Sequence, residues 1–306
     1  MDWLFEYRNC PNCGCNDSTV LFDSNMKQDD FQDGVESVYM LLGDEYGRHV
    51  KCRNCQLVYV NPIEKVTKIN EDYSKRKSID ASIIRESRLR ASKAQVELIK
   101  RYKGDANLLD IGCGEGFFLF NASNAGYSTK GVELSRDAAL YARKEFGLEV
   151  EATAFERLEF PANCFDVVTL WQVLEHVPQP LMILKEAHRT LKPGGLLAAS
   201  TPDIKGVPAR ILRKRWWNIR RLHINQFTTG TLSSILRNAG FNNIAFTSYR
   251  ESISLLMLFM PILKHLRVYQ PLEVLFYPSS IMGKIMNRIV LTYPARLDNC
   301  TVVGFK

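Results

Sequence analysis

The sequence predicts an α/β fold with a doubly wound parallel sheet, preceded by a small N-terminal metal-binding ribbon. Between residues 104 and 201, short apolar runs alternate with segments of helical periodicity, as in a parallel sheet covered by helices on both faces. Before residue 62, two Cys-x-x-Cys pairs provide four metal-binding thiolates. We therefore expect a ribbon at 1–62, a linker and helix at 63–103, and an α/β domain at 104–306.

The ribbon prediction depends on four of the eight cysteines, which form two matched pairs. They are Cys10 and Cys13, then Cys52 and Cys55. Two such knuckles supply the tetrahedral soft ligands of a structural Zn²⁺ ion, with no position left open for substrate. The metal would then fold a segment too short to rely on a hydrophobic core alone. A redox pair or chance spacing is the alternative, and residues 56–62 are expected to be the closing strand.

The remaining elements follow in chain order. Apolar residues recur at helical spacing from about 81 to 103, and Gly104 ends that predicted helix. Predicted strands cover 107–112, 128–133, 148–153, 165–171, 196–201, 242–250 and 300–306. Predicted helices cover 117–126, 135–147, 181–195 and 227–241. A basic and aromatic segment at about 205–226 and an apolar segment at 252–294 interrupt this pattern as insertions.

Composition and charge restrict the cellular setting. The 306 residues are 46% hydrophobic and 24% charged, which is ordinary for a globular protein. No basic segment followed by an apolar one opens the chain, and the longest apolar run, 253–263, is broken by Pro261. We therefore expect a cytoplasmic protein. Residues 204–306 carry 15 of the 40 Lys and Arg residues but only three acids, which predicts an anionic partner.

A glycine-rich turn follows the first strand of the α/β domain. Gly112, Gly114 and Gly116 have the spacing G-x-G-x-G, unlike the G-x-G-x-x-G pattern that places a pyrophosphate at a helix N-terminus. Asp110, just before the turn, suits an ammonium group better than a phosphate. Glu133 ends the second strand, where a carboxylate can accept both ribose hydroxyls. An adenosine with a cationic tail and no phosphate is S-adenosylmethionine.

At this point the sequence resembles the class I S-adenosylmethionine-dependent methyltransferases, in the subgroup with an N-terminal four-cysteine zinc ribbon. The shared motifs are D-x-G-x-G-x-G at 110–116, "FDVVTLWQVLEHV" at 165–177, "LKPGGLLAASTPD" at 191–203 and "LHINQFTTGTLSSILRNAGF" at 222–241. The resemblance implies a Rossmann-like sheet of seven strands. It also implies that Asp110 and the glycines hold the methionine end of the cofactor, and that Glu133 holds the ribose.

The resemblance also bears on the adenine contact and on the path to the acceptor. Many relatives have an acidic residue after the third strand for the adenine amino group, but this chain has Ala154 there. The adenine contact is then expected from the backbone at Ala154 and Phe155, or from Glu156. Trp171 and Gln172, at the end of the fourth strand, would line the path from cofactor to acceptor, with core packing as the alternative for Trp171.

Three residues are candidates for the general base that an oxygen acceptor requires. Histidine suits proton removal near neutral pH, and His176 and His223 follow the fourth and fifth strands, where the active site is expected. A structural hydrogen bond is the alternative for His176. Asp203, just after the fifth strand, is the third candidate.

The expected activity is methyl transfer to an oxygen of a small-molecule, glycan or lipid-linked anionic acceptor. The basic and aromatic segment would grip phosphates or contact an anionic membrane, so peripheral binding at the inner membrane surface is a second expectation for localisation. An RNA methyltransferase and a non-catalytic cofactor-binding scaffold are the alternatives. The sequence predicts no oligomeric state.

Overall fold

A computed structural model describes residues 5–26, 45–75, 81–256, 258 and 280–306 of the chain. Its strands are β1 (Phe5–Glu6), β2 (Ser18–Phe22), β3 (His49–Cys52), β4 (Val58–Val60), β5 (Ile63–Glu64), β6 (Asn107–Ile111), β7 (Ser128–Glu133), β8 (Val150–Ala152), β9 (Phe165–Trp171), β10 (Leu191–Pro202), β11 (Asn225–Gln226), β12 (Asn242–Thr247), β13 (Arg250–Ser254), β14 (Val290–Pro294) and β15 (Asn299–Phe305). Its α-helices are α1 (Val66–Ser74), α2 (Ala81–Lys100), α3 (Phe117–Asn124), α4 (Arg136–Phe146), α5 (Pro180–Thr190), α6 (Val207–Leu212), α7 (Thr229–Asn238) and α8 (Ile281–Arg288).

Seven strands form the central sheet, in the order β12-β15-β10-β9-β6-β7-β8. β15 runs antiparallel to both of its neighbours, while the pairs from β10 to β8 are parallel. The chain builds outward from β6 through β7 to β8, then returns to place β9 on the other side of β6. The carboxyl ends of β6 and β9 therefore meet at the topological switch point, where such sheets bind ligands. The predicted seven-stranded doubly wound α/β fold is confirmed.

The predicted helix at 181–195 is too long. Helix α5 ends at Thr190 because Leu191 is already extended, and β10 begins there. The Lys-Pro-Gly-Gly sequence then shifts the register between β10 and β9, with Gly194 at φ +69°. The predicted strand at 242–250 likewise divides into β12 and β13, and β13 pairs with β14 outside the central sheet.

The basic and aromatic segment at 205–226 does not form one continuous secondary-structure element. It contains α6, a 3₁₀ helix at Arg213–Arg215 and the short strand β11. Trp216 is buried in a small cluster with Ala209 and Ile219, whereas Trp217 is 41% exposed. Of the predicted apolar segment at 252–294, residues 257 and 259–279 lie outside the described residues.

The ribbon shares its sheet and its core with the α/β domain. Its four-stranded sheet has the order β11-β4-β3-β2, so one strand comes from the second half of the chain. Cys10, Cys52 and Leu57 are buried in the same hydrophobic cluster as Leu170 and Phe227. The ribbon is therefore packed directly against the elements that carry the end of β9.

Candidate active site

A cavity of about 470 Å³ opens at the carboxyl ends of β6, β7 and β9. Most of the sequence-predicted site residues line it, namely Asp110, Gly112, Gly114, Glu133, Ala154, Phe155, Trp171, Gln172 and His176. Helix α2 closes one side with Arg88 and Gln95. The paired strands β13 and β14 close another with Glu251 and Tyr293.

The glycine turn between β6 and α3 needs glycine at each of its three positions. Gly112, Gly114 and Gly116 have φ of +74°, +54° and +82°, in the left-handed region that side chains rarely adopt. A Cβ at Gly112 would lie 2.6 Å from a Val173 methyl group, and one at Gly116 would lie 2.8 Å from the Ala142 Cβ. A Cβ at Gly114 would meet no atom within 4 Å. Gly114 therefore keeps the backbone open to the cavity, while Gly116 lets α3 pack against α4.

Asp110 is a buried carboxyl group without a basic partner among the described ion pairs. The Thr169 hydroxyl donates to its Oδ1 at 2.6 Å. Burial nevertheless raises the pKa of Asp110 to about 8, and the nearby Glu133 carboxylate acts in the same direction. A cation beside Asp110 would compensate both effects, so the donor set fits the ammonium end of a ligand.

Glu133, at the end of β7, is hydrogen-bonded to the glycine turn. Its Oε2 accepts a hydrogen bond from the Gly114 amide at 2.8 Å, and its Oε1 accepts one from the Ser135 amide at 2.8 Å. Each carboxylate oxygen has a second acceptor position, so Glu133 can also accept from the hydroxyls of a ribose. Ala154 and Phe155, at the start of a 3₁₀ helix after β8, line the cavity beside it.

Glu175 and half-buried His176, just after β9, form a cluster with buried His223 from the segment before β11. Ligand-type atoms of the three side chains lie within 4.8 Å of one another. His176 Nδ1 lies 2.8 Å from the Leu222 carbonyl and 2.5 Å from the Tyr73 hydroxyl. Because a carbonyl only accepts, Nδ1 carries the proton and Nε2 carries the lone pair. The ring is thus held in the tautomer that a general base requires.

His223 lies behind the cavity wall. It is 1% exposed, and its Nε2 accepts from Arg220 Nε at 2.9 Å. Burial lowers the pKa of His223 well below its ordinary range, and the Arg220 charge adds to this effect. Glu175 is also 1% exposed, and burial raises its pKa to about 7, although the Thr201 hydroxyl donates to it at 3.0 Å.

The family follows from comparison with known proteins. The family model described as "Methyltransferase domain" matches residues 81–245, more than half of the chain. This chain belongs to the methyltransferase domain family. The resemblance to the S-adenosylmethionine-dependent methyltransferases drawn from the glycine turn is therefore confirmed.

Curated relatives of this methyltransferase share part of its length. A ubiquinone biosynthesis O-methyltransferase from Hydrogenovibrio crunogenus is 32% identical over 116 residues, which is 35% of this chain and 48% of that protein. One with the same name from Pseudomonas aeruginosa is 37% identical over 100 residues, covering 31% and 43%. The chain thus spans less than half the length of these relatives.

Solved structures support the fold of the methyltransferase. A SAM-dependent methyltransferase from Archaeoglobus fulgidus aligns with a TM-score of 0.51 at 20% identity, over 74% of this chain and 98% of that one. The YcgJ protein of Bacillus subtilis aligns with a TM-score of 0.51 at 17% identity, over 70% and 97%. No described helix of the methyltransferase is long and apolar enough to cross a membrane.

Two of the three predicted base candidates do not line the cavity. Asp203 closes a turn instead, because its Oδ1 accepts from the Lys205 amide at 2.8 Å and its carbonyl accepts from Gly206. His223 supports Arg220, as described above. Of the three candidates, the structure brings only His176 to the cavity wall.

The site also contains residues that sequence reasoning missed. Tyr73 lies on α1, in the segment that the sequence predicts to be a linker. No motif around Tyr73 indicates its contact with His176. Arg220 and Trp217 also line the cavity. The sequence gives them no role separate from the rest of the basic and aromatic segment at 205–226. The neighbouring Arg221 instead pairs with Glu64 and Asp72, so it is not available to an acceptor.

The four predicted metal ligands of the ribbon converge. The Sγ atoms of Cys10 and Cys55 are 3.4 Å apart, and those of Cys13 and Cys52 are 3.6 Å apart. All four lie within 4.8 Å of one another. A tetrahedral ion with bonds of ~2.3 Å places its sulfur ligands ~3.8 Å apart, so the arrangement fits Zn²⁺.

Proposed function

We propose that this methyltransferase transfers a methyl group from S-adenosylmethionine to an oxygen atom of a small molecule, with His176 as the general base. The observation that carries the proposal is the position of His176 on the wall of the cavity that also contains Asp110 and Glu133. The curated relatives named as ubiquinone biosynthesis O-methyltransferases support oxygen as the acceptor atom.

Different residues of the chain would hold different parts of the cofactor. S-adenosylmethionine supplies an electrophilic methyl group on a sulfonium. Asp110 would hold its ammonium group, Glu133 its ribose, and the backbone at Ala154 and Phe155 its adenine. Trp171 and Gln172 would line the passage to the acceptor.

His176 would take the acceptor proton. His176 Nε2 would accept the proton that the acceptor hydroxyl loses when it is methylated. Glu175 would then stabilise the imidazolium, since its Oε1 lies 4.0 Å from Nε2 and has no hydrogen-bond partner among the described residues. Positioning in this enclosed cavity supplies much of the remaining effect.

The four cysteines would hold a structural zinc ion. Because all four ligands are thiolates, the ion would stabilise the ribbon and take no part in the reaction.

We further propose that the acceptor is lipid-linked or otherwise anionic, and that residues 207–217 contact an anionic membrane surface. Val207, Ile211 and Trp217 are 53%, 73% and 41% exposed. They alternate with exposed cations, namely Arg210, Arg213, Lys214 and Arg215. Exposed apolar groups among cations are typical of interfacial segments.

Methyl transfer from labelled S-adenosylmethionine into separated small-molecule, lipid, glycan and RNA pools of a cell extract tests the activity. We expect wild-type protein to label the small-molecule, lipid or glycan pool, and His176→Gln to bind the cofactor but label none of them. Labelling of RNA alone would establish the RNA methyltransferase alternative. Cofactor binding without any labelled pool would establish the scaffold.

Flotation tests the membrane contact. Wild-type protein should float with phosphatidylglycerol vesicles but not with phosphatidylcholine vesicles, and the double variant Arg213→Glu/Arg215→Glu should stay at the bottom of the gradient. Arg53→Glu, at an exposed ribbon position, is the matched control and should float. Equal behaviour of all three proteins would refute the contact.

A further inference from the structure

Arg8 links the ribbon to the loop that carries His176. It lies two residues before Cys10, and its guanidinium donates to four oxygens on three separate segments. The acceptors are the Val60 carbonyl at 3.2 Å, the Pro178 carbonyl at 2.7 Å, the Ile224 carbonyl at 2.9 Å and Asn225 Oδ1 at 3.1 Å. Val60 belongs to the ribbon, whereas the other three flank the cluster of Glu175, His176 and His223.

Asn225 extends this network to the rest of the loop. Its Nδ2 donates to the Leu174 carbonyl at 3.0 Å and to the Val177 carbonyl at 2.8 Å. Its backbone amide donates to the Glu175 carbonyl at 3.1 Å. The carbonyls of residues 174, 175, 177 and 178 are therefore all bound by Arg8 or Asn225. Both neighbours of His176 in the chain are fixed in this way.

The same network holds the group that orients the His176 ring. The Leu222 carbonyl, which accepts from His176 Nδ1, lies two residues before Ile224, whose carbonyl is bound by Arg8. One guanidinium therefore ties together the backbone that carries the imidazole and the backbone that sets its tautomer. A lysine ammonium could not replace it, because Arg presents five donors in a rigid planar fork.

Overall stability is a weak explanation for this arrangement. All four acceptors are neutral oxygens, and the guanidinium carbon also lies 5.4 Å from the centroid of the Tyr59 ring. None of these contacts is with a carboxylate, so they compensate the desolvation of a cation less than an ion pair would. What the guanidinium adds is directionality over three segments.

We propose that Arg8 is a positioning residue, through which the ribbon fixes the loop and the tautomer of His176. This inference rests on the proposed role of His176 as general base. It makes the ribbon part of the active-site architecture and not an independent binding module.

The test combines Arg8→Lys with a matched control, Arg53→Lys. Arg53 is an exposed ribbon arginine that pairs with Asp17. Cofactor affinity is measured by calorimetry, zinc content by metal analysis, and the His176 tautomer by ¹⁵N NMR of the imidazole. The pH profile of labelling is measured on the extract pool that the wild-type protein labels.

We expect wild-type His176 to be a single Nδ1–H tautomer. Arg8→Lys should keep its zinc content and bind S-adenosylmethionine within about twofold of wild type. Its labelling rate should fall at least tenfold with an altered pH profile, and the His176 signals should report a tautomer mixture. Arg53→Lys should match wild type in every measurement.

Three results would distinguish failure of the positioning role from failure of the proposed activity. Wild-type labelling, pH profile and tautomer in Arg8→Lys would overturn the positioning role. An Nε2–H tautomer in the wild-type protein would overturn it even if Arg8→Lys did not fold. A wild-type protein that labels no pool, but shows the expected tautomer change on Arg8→Lys substitution, would overturn the proposed activity and leave the link from Arg8 to His176 intact.

Discussion

Substitution of Glu175 by glutamine should stabilise the protein while it impairs the reaction. Glu175 is 1% exposed, and burial raises its pKa from 4.5 to about 7. A raised carboxyl pKa means that the folded state binds the proton more tightly than the unfolded chain does. Stability from this group is therefore lost as the pH rises from about 4.5 to about 7.

The size of the effect follows from the pKa shift. A change from 4.5 to about 7 corresponds to about 3 kcal/mol at about 1.4 kcal/mol per pKa unit. Most of this penalty is present at pH 8 and little of it at pH 5. Glutamine carries no titrating proton and can still accept from Thr201. The gain in unfolding free energy from Glu175→Gln should therefore be about 2–3 kcal/mol larger at pH 8 than at pH 5.

Urea unfolding of both proteins at the two pH values measures this difference directly. Glu149→Gln, at a position whose side chain is 63% exposed, is the control and is measured at the same two pH values. The same variant should methylate more slowly, since Glu175 no longer offers a charge to the His176 imidazolium. A gain that is equal at pH 5 and pH 8 within about 0.5 kcal/mol would show that Glu175 is not a penalised buried acid.

Three further outcomes follow from the site and the ribbon. Glu133→Ala should weaken S-adenosylmethionine binding about 100-fold by calorimetry, because two hydrogen bonds to a charged group are lost at about 1.5 kcal/mol each; unchanged affinity would remove Glu133 from the site. Gly116→Ala should lower the free energy of unfolding, measured by urea titration, by about 1–3 kcal/mol more than Gly114→Ala does. Both substitutions strain a positive φ, but only the one at Gly116 also adds a steric overlap. Equal losses would contradict this. Cys55→Ser should lose bound zinc and melt at a lower temperature, whereas Cys164→Ser, outside the thiolate cluster, should keep its metal; full zinc content in Cys55→Ser would exclude the four-thiolate site.

The parts of the site that lie close together in sequence could be predicted from it. The turn at 110–116 follows a strand and begins a helix, so its glycines need no distant contact to be recognised. Glu133 is predictable because parallel strands bring their carboxyl ends to one edge. The parallel sheet likewise follows from the alternation of elements, whereas the resemblance to the methyltransferases implied its seven strands.

Contacts between distant segments could not be predicted in this way. Arg8 and Pro178 are 170 residues apart, and Tyr73 reaches His176 from a helix that carries no motif. His223 was a reasonable base by residue type, but only the folded structure shows that Arg220 occupies its Nε2. The basic and aromatic segment at 205–226 also contains arginines in three different environments. Arg220 lines the cavity, Arg221 is paired with acids and Arg213 is exposed.

The pairing of β11 with β4 has a consequence for biosynthesis. Tyr59 of the ribbon pairs with Asn225, which leaves the ribosome long after the first knuckles have emerged. At ordinary translation rates that delay is on the order of 10 s. During it, the outer edge of β4 presents unsatisfied amides and carbonyls to other nascent chains. Even a ribbon that had already captured its metal ion would keep this edge open until residues 225–226 are synthesised, so the N-terminal ribbon is completed only by the second half of the polypeptide.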